Sequence, residues 1–335
     1  VRFILSIGIF LASITLVNAQ DIHFSMWDMS PLNLNPANAG GFDGDYRFNG
    51  NHRNQWSSVT VPFSTYAISA DAKNFLGHKP YSAGIQINQD RAGDSKFNTF
   101  QVNLDGAYAL ALNKDSLHQL SFGAQLGVTN KNLTYDPLQF DVQYDGFQYD
   151  PSLPNQENFA RASRTYMNLA LGVAYFKQLD TRKIIRGGVS AFNLLRPKQS
   201  FFNDNDVKLD VRYNLHANAE WKVADKWDVL PTVLLSSQGK YKSFNVGANA
   251  RYVFTDFMGM YRAVWGGVFY RNKDATFVSV GMNYDAWKVG ISYDINVSTL
   301  KPASNLRGGF EIGVQYIIKF DQPKRIMHRV CPDYI

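Results

Sequence analysis

From about residue 45 to residue 320 the chain is a succession of long alternating runs, and this period of two restricts its fold more than any other feature. Leu120, Phe122, Ala124, Leu126 and Val128 fall on one side of one run, and Ser121, Gly123, Gln125 and Gly127 on the other. Near the end, Phe310, Ile312, Val314 and Tyr316 oppose Gly309, Glu311, Gly313 and Gln315. Alternation of this kind is the mark of a strand with two unlike faces. About fourteen such runs can be counted, many of about ten residues or more. Strands of soluble domains average about 5–6 residues, whereas a strand that crosses a bilayer needs about 9–11. An even count also suits a bacterial single-chain barrel. The expected fold is all-β, a transmembrane antiparallel β-barrel of about fourteen strands over 45–320.

Connection lengths give a second, independent expectation. The stretches 113–115, 179–181, 224–226 and 285–286 are short and share one parity, which in a barrel with both termini on the periplasmic side marks the periplasmic turns. Long connections, 131–163, 193–209 and 297–307, fall on the opposite parity. The stretch 255–262 is long for a turn of its parity. Tyr175, Trp221, Trp227, Tyr284 and Trp287 stand beside the short turns on the apolar face, as an aromatic belt would. A soluble β-sandwich is the main alternative, but nothing in it would gather large aromatics at one end of its strands.

The opposite face is polar and rich in small residues, among them Gly123, Gly127, Gly172, Gly188, Gly247, Gly267, Gly281 and Gly290. It also carries Arg47, Arg53, Asp71, Asp105, Arg212, Glu220, Arg251, Asp294 and Glu311. Mixed signs fit a salt-bridged interior at least as well as an ion-selective pore. Closure of the barrel would bring Arg47 or Arg53 to Glu311.

Arg2, the apolar run Phe3–Val17 and small residues up to Ala19 read as a signal peptide over 1–19. Residues 20–44 precede the first strand. Pro31, Pro36, Gly40, Gly41 and three asparagines preclude a regular element there, yet Phe24, Trp27, Leu32 and Leu34 need cover. The segment is expected to start in the periplasm and to pack on the lumen or its periplasmic rim, as a plug or docking element. Residues 321–335 are expected to form a basic periplasmic tail. The net charge of +6 is modest and spread out, which does not suggest nucleic acid, and export argues against that partner too. A single cysteine, Cys331, precludes an internal disulfide framework.

Several of these residues also form a recognisable pattern. Phe24-Ser25, Pro31-Leu32, Asn35-Pro36-Ala37, Ala39-Gly40 and then Arg53-Asn54-Gln55-Trp56 resemble the N-terminal signature of the PorP/SprF family. Arg329 and Cys331-Pro332 lie in an ending similar to that family's, from which Asp333 and Ile335 depart. The resemblance implies an outer-membrane barrel of the type IX secretion and gliding apparatus of Bacteroidota, working with one large secreted adhesin and with periplasmic components of the system.

No dinucleotide, phosphate-loop or serine-elbow motif is present, and the six histidines have no metal-ligand spacing. No cofactor or metal is expected. His216 is placed by parity among Asn214 and Asn218 in the lumen, as a hydrogen-bonded interior residue. The loop 131–163 interleaves Tyr135, Phe140, Tyr144, Phe147 and Tyr149 with aspartates, which suits either recognition or a lid over the barrel mouth. Phe201 and Phe202 lie in the neighbouring loop 193–209. The expected function is non-enzymatic: a lipid-embedded barrel that binds a secreted adhesin or its C-terminal domain and docks to periplasmic machinery. A passive outer-membrane channel is the rival, and a membrane hydrolase lacks a nucleophile–base set.

Overall fold

In the computed structural model the described residues are 21–55, 61–93, 96–134, 140–154, 161–201, 206–257, 259–298 and 307–320. Fourteen strands close into one antiparallel barrel. In chain order they are β1 (Tyr46–Gln55), β2 (Phe63–Ala72), β3 (Tyr81–Ala92), β4 (Phe97–Ala111), β5 (His118–Asn132), β6 (Ser163–Asp180) and β7 (Lys183–Phe192). They continue with β8 (Arg212–Lys222), β9 (Trp227–Gln238), β10 (Tyr241–Phe257), β11 (Met260–Arg271), β12 (Ala275–Tyr284), β13 (Trp287–Asn296) and β14 (Arg307–Ile318). Each strand pairs with its neighbours in sequence, and β1 closes on β14 with Tyr46 opposite Ile318 and Arg53 opposite Glu311.

The faces are inverted relative to a soluble protein. On β5, Leu126 and Val128 are exposed, whereas Gln125 and Thr129 are buried. The largest fully buried side chains include Arg53, Arg271, Gln86, Glu311, Asn88, Asp228 and Asp294. Charged groups inside and valine, leucine and phenylalanine outside are what a barrel in lipid requires, and a sandwich would reverse them. Tyr175, Trp221, Trp227, Tyr284 and Trp287 are all exposed on the outer surface.

One end of the barrel carries tight connections, such as Thr181–Arg182 and Asp285–Ala286. The other carries the long stretches after β5 and β7. These are called the turn end and the loop end below. The stretch 255–262 is a continuation of a hairpin and not a long turn. Phe257 pairs with Met260, past the last β9 and β12 partners, Trp227 at Tyr252 and Tyr284 at Arg262.

Chain entry into β1 is through the lumen. Residues 21–40 run inside the ring as short pieces: a 3-10 turn at Trp27–Met29, the single-turn helix α1 (Pro31–Leu34) and a second 3-10 turn at Pro36–Asn38. Pro31 and Pro36 each open a turn, where a missing N–H has no helical partner to lose. Phe24, Met26, Trp27, Met29, Leu32, Leu34, Ala37 and Ala39 are all buried.

Candidate functional site

The lumen segment is held at three levels. At the loop end, Asp21 N–H donates to Gln238 Oε1 at 3.1 Å, and its carboxylate accepts from Asn193 Nδ2 at 3.0 Å and lies 3.7 Å from Arg212. Arg212 also donates to the carbonyl oxygen of Ile22 at 2.9 Å. Burial alone would push the Asp21 carboxyl up, but Arg212, Asn193 and Lys131 together hold it below its ordinary value. Burial pushes His23 well below the usual imidazole range, and Arg53 and Arg271 add to this.

Ser25 binds four charged residues of the wall. Its N–H and that of Met26 donate to the two oxygens of Glu311 at 2.7 and 3.0 Å. Its hydroxyl donates to Asp294 Oδ1 at 2.8 Å and accepts from Arg271 Nη2 at 2.7 Å and from Arg53 Nη1. Arg53 in turn reaches Asp294 at 2.7 Å and Glu311 at 3.2 Å, and Arg271 reaches Asp294 at 3.2 Å and Asp274 at 2.9 Å. The charges are mutually compensated and hydrogen-bonded, the only way such groups are tolerated out of water. Of the two arginines expected at Glu311, Arg53 is the one that pairs. Arg47 sits at the other end of the same strand and cannot reach it.

Half-way down, Asn35 organises the middle level. Its Oδ1 accepts from Ala37 N–H at 2.9 Å, and its Nδ2 donates to the carbonyls of Val173 and Val189 at 3.0 and 3.2 Å. The same Nδ2 lies 3.3 Å from His216 Nε2, which makes His216 an interior hydrogen-bonding group. This close approach needs wall residues without side chains. A Cβ on Gly123 would overlap the Pro36–Ala37 backbone, and a Cβ on Gly172 or Gly188 would meet the Asn35 amide. At the turn end, Gly40 N–H donates to Asp71 Oδ2 at 2.8 Å, and Arg47 binds the same carboxylate through Nε and Nη2 at 2.9 and 2.8 Å. Gly40 has φ +72, a left-handed conformation at which glycine is unstrained.

Apolar contacts fill what the polar ones leave. Trp27 meets Phe269 and Phe277 edge-on, with ring centroids 5.9 and 6.2 Å away, and Met26 and Met29 lie with Trp265. These three wall aromatics escaped the sequence reading. The parity that places Gly267 inward also places Trp265 and Phe269 inward, so the signal was present. A cavity of about 60 Å³ lies between Phe24, Trp27, Leu34, Leu234 and Arg212 toward the loop end.

The segment's direction differs from expectation. Asp21 sits at the loop end, and the chain descends to Gly40 at the turn end before β1 begins. The cause lies in the wall: Arg212, Asn193 and Gln238, which receive Asp21, are all at the loop end of their strands.

Of the other residues singled out, Pro31, Leu32, Pro36 and Ala39 are buried in the lumen. Gln55 accepts from Arg53 Nε at 3.3 Å, and Asn54 lies on β1 opposite Phe310. Phe201 rests edge-on against Phe97 of the wall at 6.2 Å. Tyr144 and Phe147 are exposed, while Phe140 and Tyr149 are half-buried in their own loop. Trp56, Tyr135, Phe202, Arg329, Cys331 and Pro332 lie outside the described residues. Among the described residues no group of three or more His, Cys, Asp or Glu is arranged to hold a metal ion.

Residues 16–316 match the profile of a family described as "Type IX secretion system membrane protein PorP/SprF". No curated protein matches the chain. Among solved structures it is similar to the Pseudomonas putida toluene transporter TodX, at 11% identity over 90% of this chain and 95% of that one, with a TM-score of 0.49. It is also similar to the CymD monoaromatic hydrocarbon channel (11% identity, 88% and 94% covered, TM-score 0.48). A Pseudomonas aeruginosa FadL homologue is similar at 9% identity, 84% and 92% covered, TM-score 0.44. At these levels the likenesses carry nothing about ligands.

Proposed function

The chain belongs to the PorP/SprF family of type IX secretion system membrane proteins, a multi-pass β-barrel of the outer membrane, and from that membership we propose that it anchors a secreted adhesin at the cell surface. The turn end faces the periplasm and the loop end faces outward, because bacterial barrels keep short turns inside and long loops outside. The adhesin or its C-terminal domain binds the loops 131–163, 193–209 and 297–307. The periplasmic rim and the basic tail 321–335 dock to other components of the secretion system. The protein is not an enzyme in this reading, and His216 serves as an interior hydrogen-bonding group engaged with Asn35.

One observation supports anchoring over passive conduction: the lumen is occupied from Asp21 to Gly40 by a segment tied to the wall at every level. The purified barrel should therefore show no stable open conductance in a planar bilayer. In cells, removing residues 140–154 should leave the barrel inserted and release the adhesin into the medium. A large, steady conductance of the intact protein would establish the channel reading in its place. Unchanged adhesin retention after the loop deletion would sink the assignment of the contact to that loop.

A further inference from the structure

Phe147 is 94% exposed, the most exposed large apolar side chain among the described residues. It is not part of the lipid-facing band, because it stands in the loop between β5 and β6. Nor is it carried on slack chain. Asp145 Oδ1 accepts from the N–H groups of Phe147 and Gln148 at 2.7 and 2.8 Å. Those two bonds hold the Asp145 carboxyl below its ordinary value. Gly146 supplies the turn with φ +100, and Tyr144 and Tyr149 bridge across its base. Gln143, buried beneath, donates to the Leu153 carbonyl at 2.8 Å. Covering a phenylalanine ring is worth about 1.5–3 kcal/mol, so leaving it bare at the tip of an ordered hairpin forgoes stability that burial elsewhere would supply.

The charge of the stretch that carries the ring is one-sided in sequence. Between Asn132 and Ala160 there are Asp136, Asp141, Asp145, Asp150 and Glu157 and no lysine or arginine, in a chain whose net charge is +6. Carboxylates of this density repel the phosphates of an outer leaflet and attract a basic protein face. We infer that Phe147 is the anchor of the adhesin contact: it enters an apolar socket on the secreted protein, and Asp141 and its neighbours meet lysine or arginine around that socket. This rests on the anchoring function and adds to it the residue and the chemistry of the partner's face. Aromatic anchors in a socket, ringed by weaker polar contacts, dominate many protein interfaces.

The test places para-benzoylphenylalanine at position 147 in producing cells, irradiates them and identifies the cross-linked product by mass spectrometry. In parallel, the intact barrel is purified with Phe147→Ser or Asp141→Asn, and the secreted protein retained is measured. Insertion of each variant is checked by its unheated gel mobility. The expected result is a cross-link to the secreted protein, roughly tenfold weaker retention with Phe147→Ser, and a smaller loss with Asp141→Asn. Retention by the natural protein should fall as salt is raised from about 0.1 M to about 1 M, where screening shortens to about 3 Å. A cross-link to lipid or to a second copy of this chain overturns the inference. So does undiminished retention by Phe147→Ser while the natural protein still carries its secreted partner; the anchoring function then stands. If the natural protein carries no secreted protein, that function falls and the inference falls with it.

Discussion

Arg53 on the first strand places Nη1 3.2 Å from Glu311 Oε2 on the last, its direct partner in register, so an ion pair straddles the seam at which the barrel closes. Ser25 joins the same pair from inside the lumen. Arg53→Met would leave Glu311 without its cation and Asp294 with Arg271 alone, and breaking a buried pair from one side costs about 3–5 kcal/mol. The expected outcome is a lower temperature for the shift from folded to unfolded mobility on a gel. Replacing Glu311 with Leu as well should recover only part of the loss, because Asp294 still lacks Arg53.

Gly123 and Gly172 give the Asn35–Ala37 turn its place against the wall. Gly172→Leu should push that turn off the wall while leaving the outward face of β6 unchanged. The prediction is an ion conductance absent from the natural protein, together with protease cutting within residues 21–41. A variant that remains closed in a planar bilayer would show that the segment re-seats around the new side chain.

Trp27 fills the space against Phe269 and Phe277. Trp27→Ala should enlarge the neighbouring 60 Å³ cavity and cost about 3–5 kcal/mol, as large-to-small changes of tryptophan do. Because the polar ties at Ser25, Asn35 and Gly40 remain, the barrel should still insert. Thermal unfolding of the detergent-solubilised protein measures the loss.

The sidedness can be read directly. With Cys331 replaced by serine, cysteines at Lys240 and Asp225 mark the loop end and the turn end; both positions are exposed. A membrane-impermeant maleimide added to intact cells should label position 240 and spare position 225. The reverse pattern would invert the orientation, and with it the placement of the adhesin.

How far the sequence reveals all this depends on the range of the interaction. Strands such as β5 and β14 announce themselves because alternation is local and repeated, and closure of β1 on β14 needs only their order. The burial of Phe24, Trp27, Leu32 and Leu34 follows from apolar residues in a stretch too broken for a strand. The direction of that stretch does not follow, since it is decided by Arg212, Asn193 and Gln238, more than 170 positions away from Asp21. Arg47 and Arg53 are equivalent by parity, and only the register, which sets Arg53 against Glu311, tells them apart. Phe147 differs from Tyr149 only in three dimensions: both are aromatic loop residues, but the Tyr149 hydroxyl reaches Gln143 at 3.4 Å and the Phe147 ring touches solvent.

The segment that precedes β1 lies inside the ring that β14 completes, and this turns chain order into assembly order. A closed ring admits a threaded segment only lengthwise or before its last seam forms. Lengthwise entry would drag Trp27 and the Pro31–Ala39 turns past walls that fit them only in their final seats. Closure around a segment already in place avoids that passage, and Ser25 then greets β1, β11, β13 and β14 together as the seam comes shut. The bore is in this sense cast around its core, and emptying it later means reopening the mould.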